Sequence, residues 1–153
     1  MGKWLLCMAL LLALLGCSKK ADLTGEQPPK TSVQIGNHKY PTTLGSYCWS
    51  ANGQGRCVDA VGPAELLKDK KPILVHAKDE IALVMDYEPK PNMFQVMQTN
   101  EAGQREVPLK DNRFAAPVQK GTYYYSYSVS WMDERVAHLS HGSAVYYFVL
   151  EVN

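Results

Sequence analysis

The sequence predicts an all-β domain, a sandwich of about seven to nine strands, with a partly closed barrel as the alternative. Three observations carry this. Short β-type runs alternate with turn residues along residues 31–153, the spacing of sandwiches and barrels. Two late segments alternate apolar and polar side chains over long stretches, which is the period-2 signature of a half-buried strand. Beyond the first residues, no window of helical length carries a 3.6-residue apolar period.

The chain opens differently. Lys3 supplies a positive charge, and Trp4 to Leu15 form an apolar run within the ~7–15 residues of a signal-peptide core. A spanning helix needs ~20 apolar residues, so this run is too short to be one. It ends on Leu14-Leu15-Gly16-Cys17. This segment resembles the lipobox of bacterial lipoproteins, in which a small residue precedes a cysteine that is lipidated and becomes the first residue after cleavage. The resemblance implies a signal peptide over residues 1–16, a diacylglyceryl group on Cys17, and a protein anchored at the extracytoplasmic face of the cell membrane. Cys7 would leave with the leader.

Residues 17–30 read as a lipidated cysteine followed by a disordered tether. Gly25, Pro28, Pro29 and several charges leave Leu23 as the only large aliphatic residue, too little to fold alone. The domain then spans 31–153. Ser32 to Ile35 is its first strand, stopped by Gly36-Asn37. Thr43 to Trp49 enters a loop rich in turn formers, and Arg56 to Asp59 leaves it. Ala64 to Leu67 is a weak stretch after Gly62-Pro63, and Ile73 to Ala77 follows Pro72. In Ile81 to Tyr87 the odd-numbered positions Ile81, Leu83, Met85 and Tyr87 share one face. Pro89 and Pro91 interrupt the ladder, since proline has no donor. Met93 to Thr99, Glu106 to Leu109 and Arg113 to Ala115 come next.

Gly121 to Met132 is the strongest pattern. Tyr123, Tyr125, Tyr127, Val129 and Trp131 fall on one face, and Tyr124, Ser126, Ser128 and Ser130 on the other. Ala144 to Val152 behaves likewise through Ala144, Tyr146, Phe148, Leu150 and Val152. The Gly121-Thr122-Tyr123 start of the penultimate strand, followed by a chain-ending strand, resembles the last two strands of bacterial immunoglobulin-like modules. The segment Tyr40 to Trp49, with Cys57-Val58-Asp59 after it, is similar to small cell-surface lipoproteins of Gram-positive, spore-forming bacteria, a group without an assigned reaction.

Charge and cysteines narrow the function. The chain carries 16 basic and 15 acidic side chains, and Lys3 belongs to the leader. A net charge near zero gives no steering toward nucleic acid. With Cys17 lipidated, Cys48 and Cys57 form an even pair in an oxidising compartment, which predicts a disulfide. Ser50, Asn52, Gly53, Gln54 and Gly55 lie between them, so the bridge would staple a hairpin or short loop. The ring is also distant from the inter-sheet bridge of antibody domains, whose cysteines lie far apart in sequence.

Candidate chemistry is sparse. His138 and His141, with Asp133 and Glu134 nearby, offer imidazole and carboxylate groups for zinc or copper. The helix-borne H-E-x-x-H pattern is absent. Met85, Met93, Met97 and Met132 could add thioethers for copper, but Met85 shares an apolar face, where methionine fills gaps. Ser140 adjoins His141, and no G-x-S-x-G turn exists, so an envelope hydrolase is only a minor alternative. No cofactor-binding pattern occurs, and nothing in the sequence fixes an oligomeric state. Aromatic residues beside the cysteine ring suggest a binding surface instead, with Tyr47, Trp49 and Asn52 as its residues. The expectation is a non-enzymatic, lipid-anchored module that presents a loop-bearing end to a protein or cell-wall partner. The alternative is a metal-handling lipoprotein using His138 and His141.

Overall fold

The computed structural model describes residues 23–153; the leader, Cys17 and the first residues of the expected tether lie outside them. Eleven strands and one short helix follow in order: β1 Thr31–Ile35, β2 His38–Pro41, β3 Thr43–Ala51, β4 Gln54–Val58, α1 Pro63–Leu66, β5 Ile73–Val75, β6 Glu80–Met85, β7 Met93–Asn100, β8 Gly103–Glu106, β9 Arg113–Ala115, β10 Gly121–Met132 and β11 Ser140–Val152. They form two sheets. The smaller has the order β2-β1-β6-β9 and the larger β4-β3-β11-β10-β7-β8, with β5 added in parallel to the end of β11. The domain is a β-sandwich, and the sheets do not close into a barrel.

The alternation read from β10 and β11 builds the core. Tyr123, Tyr125, Tyr127, Val129 and Trp131 point inward with Tyr146, Phe148 and Leu150, and meet Val33, Ile81, Leu83 and Phe114 of the smaller sheet. Tyr125 stacks on Phe148 at 4.9 Å and meets Phe114 at 5.3 Å. Burial pushes the Tyr125 and Tyr146 phenols above the usual tyrosine range. Their hydroxyls are nevertheless satisfied: Tyr125 donates to Gln98 Oε1 at 3.0 Å and Tyr146 to the Pro29 carbonyl at 2.6 Å. Buried Gln98 also accepts from Arg105, so this polar group is not left to carry an unpaired desolvation cost.

Four expectations are corrected. Residues 23–30 are not a free tether: Leu23 and Pro28 are buried against the sandwich. Ala64 to Leu67 is not strand but a helical turn begun by Pro63, a favourable first helical residue. Its end seats Leu67 on Tyr147 and Val149 of the outer face. Glu106 to Leu109 is mostly an irregular run that follows β8. The strands also outnumber the seven to nine expected, because β2 and β8 are short and largely exposed and carry no apolar alternation to reveal them.

Candidate functional site

The residues singled out around the cysteine ring and the histidines fall at one end of the sandwich. β3 climbs to its tip there, β10 finishes there and β11 begins there, because Trp49 pairs with Gly142 and Gly142 with Trp131. The Cys48–Cys57 disulfide forms. The two cysteines are direct partners across β3 and β4, with Cα atoms 4.1 Å apart, and both are exposed. Asn52 and Gly53 turn the hairpin with φ of 53° and 75°, the doubly positive geometry of a two-residue turn that Asn-Gly supplies at little cost.

The expected binding aromatics are not on the surface. Tyr47 is 8% exposed and Trp49 2%. The reason is that β3 continues past Cys48 to Ala51 instead of becoming a loop. Period-2 alternation then sends Tyr47 and Trp49 inward and Cys48 outward. Of the three expected contact residues only Asn52 stays exposed. Trp49 instead packs edge-on against Trp131 at 4.9 Å and Tyr87 at 5.8 Å, favourable T-shaped arrangements. The incoming chain covers them. Trp49 Nε1 donates to the Gly25 carbonyl, and the Tyr87 hydroxyl both donates to the Thr24 carbonyl and accepts from its N–H. A Cβ on Gly142 would stand 2.6 Å from the Trp49 ring and 2.7 Å from Leu23, so only glycine leaves room for both.

The four expected metal ligands are not gathered at one point. Among the described residues no three His, Cys, Asp or Glu side chains converge on a common point. Asp133 and His141 do meet, at 2.9 Å, but as a structural pair. Asp133 Oδ1 accepts the N–H groups of Arg135 and Val136, while Oδ2 faces His141 Nε2. These hydrogen bonds stabilise the carboxylate and hold its pKa down at about 2. Glu134 and His138 are exposed and lie outside this pair; His138 occupies a left-handed turn position with φ of 63°. The Ser140 hydroxyl donates to the Gly142 carbonyl.

Sequence reasoning missed a second surface, on the side of the sandwich. β8 pairs only with Met97 to Asn100, so no described strand covers the first half of β7. The sheets part there. Phe94, 42% exposed, stands over the opening and lies parallel to the Tyr127 ring at 6.5 Å. Two adjoining clefts of about 350 and 290 Å³ share Phe94, Asp111 and Asn112. Tyr127 floors the second, with Lys90 and Arg113 on its rim. Burial pushes the Tyr127 phenol up to about 12. Asp111 and Asn112, with φ of 52° and 57°, form a tight turn closed by two backbone bonds between Lys110 and Arg113. The Asn112 carbonyl accepts from Leu83 N–H, fixing the turn as the wall opposite Phe94. The available signal was Phe94 itself, an aromatic beside a Pro-rich break.

Comparison with known proteins brings no match: no family model, no curated protein and no solved structure matches this chain.

Proposed function

We propose that the protein is a non-enzymatic binding module of the bacterial cell envelope, lipid-anchored through Cys17 at the extracytoplasmic face of the membrane, and that the Phe94 cleft is its binding surface. The anchor rests on the leader and the Gly16-Cys17 junction. The binding half rests on one observation: an exposed aromatic ring beside an open cleft, with amide, ammonium and guanidinium groups close by. Aromatic anchors of this kind supply large contact area, and Asn112, Lys90 and Arg113 can donate hydrogen bonds around it. That combination suits a cell-wall glycan, with a sugar face on Phe94 and its hydroxyls toward the rim. A second reading, an extended peptide, is favoured by the edge of β7 at Met93 to Gln95, which no described strand pairs, where strand addition needs only backbone groups.

Solubilised cell-wall fragments, added during thermal melts of the protein, test the glycan reading. A ligand at a hundred times its Kd stabilises by about 2.7 kcal/mol. The expected result is a rise in Tm that Phe94→Ser removes. A rise that survives Phe94→Ser would move the site elsewhere, and no rise would leave the peptide reading. Mass analysis of the mature protein tests the anchor: the expected species begins at Cys17 and carries acyl chains, which Cys17→Ala eliminates.

A further inference from the structure

The described chain begins at the loop-bearing end. Leu23 is packed beside Gly142, at the base of the loop that joins β10 to β11. Two of the exposed large apolar side chains stand on that loop, Val136 (52% exposed) and Leu139 (40%), and Met93 is exposed at the same end of the larger sheet. The loop is held in shape, since Asp133 anchors the N–H groups of Arg135 and Val136, and Leu139 N–H donates to the Val136 carbonyl.

Because Leu23 and Pro28 pack on the domain, the chain between Cys17 and the domain is shorter than the sequence suggested. From Cys17 to Leu23 there are six residue steps, which span at most ~20 Å even when extended. We propose that the β10–β11 loop docks on the bilayer itself, with Val136 and Leu139 entering the interfacial layer. This rests on the reading of Cys17 as a lipid anchor. The leash keeps this end near the surface, and the loop offers apolar side chains where the surface is met. A shallow apolar contact adds a second membrane signal to the acyl chains and orients the domain. It leaves the Phe94 cleft opening along the side of the sandwich.

The test uses the full chain, expressed in a bacterium that lipidates it, purified, and reconstituted in vesicles of phosphatidylethanolamine and phosphatidylglycerol containing phospholipid brominated high on the acyl chain. Val136→Trp and, separately, Leu139→Trp report on the loop. Val118→Trp, an exposed position near the opposite end, is the control. The proposal expects several-fold stronger bromine quenching of the added fluorescence at the loop positions than at the control. Equal quenching at all three positions, with acylated Cys17 shown by mass, overturns the docking and leaves the anchor standing. A blue-shifted but unquenched loop tryptophan also overturns it, because a second copy or another protein then covers the loop. Protein that lacks acyl chains and stays off the vesicles overturns the anchor, and the docking with it.

Discussion

The two places where aromatic rings approach the surface of this sandwich have opposite fates. At the loop-bearing end, Trp49, Trp131 and Tyr87 fill the space between the sheets, and the strap of residues 23–26 seals them. On the side, Phe94 lies over the buried Tyr127 ring and is itself left open, because β8 stops short. The residue types are alike and the difference lies in what covers them. An aromatic is core when a segment from elsewhere in the chain arrives to close over it, and is available for binding when the neighbouring strand ends early.

The strongest way to break that contrast is at the sealed end. Trp49→Ala should destabilise the domain by about 3–5 kcal/mol, the range for removing a large buried aromatic, read from the midpoint of urea unfolding. Leu23→Ala should follow with a cost of about 2–5 kcal/mol, although Leu23 lies outside every strand. A loss under about 1 kcal/mol for Leu23→Ala would mean that residues 23–26 do not seal the end.

Next comes the β3–β4 hairpin, at the edge of the larger sheet away from β7. Replacing both cysteines, Cys48→Ser with Cys57→Ser, should cost about 2–3 kcal/mol, the chain-entropy value for so short a ring. Both side chains are exposed, so little packing goes with them. A cost well above this would show that the bridge also holds Trp49 in place.

These sites also mark how far the sequence could be read. The faces of β10 and β11 were legible because alternation persists through long strands with one buried side. The disulfide was legible from the even pair of cysteines that the expected lipidation of Cys17 leaves. The burial of Trp49 was not: turn residues after Cys48 looked like a loop, and the inward direction of Trp49 depends on β3 continuing to Ala51. The strap was illegible for a deeper reason. Its partners, Trp49, Tyr87 and Gly142, come from three distant parts of the chain, and a lone Leu23 among polar residues carries no period. Phe94 was read only as part of a strand, since sequence does not say where a partner strand ends.

Asp133 provides a smaller and more local test. Its folded pKa, about 2, lies below the ~3.9 of a free aspartate. Its contribution is therefore complete above the unfolded value and disappears as pH falls toward 2. Amide exchange at Arg135 and Val136 should stay slow on acidification until that window is reached, and Asp133→Ala should speed it at any pH above that window. Melting of the loop near pH 5 would instead assign its order to another group.

The smallest effect on the fold is expected at the open site, and there smallness is the informative result. Phe94→Ser removes a ring that touches Tyr127 from one side and water from the other. It should cost about 1 kcal/mol or less, the size of a surface substitution that also gives up a single ring stack, while abolishing any shift produced by the cleft's ligand. Polar replacement should leave the cleft walls in place, because Asp111 and Asn112 are held by backbone bonds of their own turn and by Leu83. A loss above about 2 kcal/mol would put Phe94 with Trp49, as part of the seal between the sheets. Phe94 would then be a core residue that β8 fails to hide, and the binding surface would have to be sought on the exposed turn at Asn52.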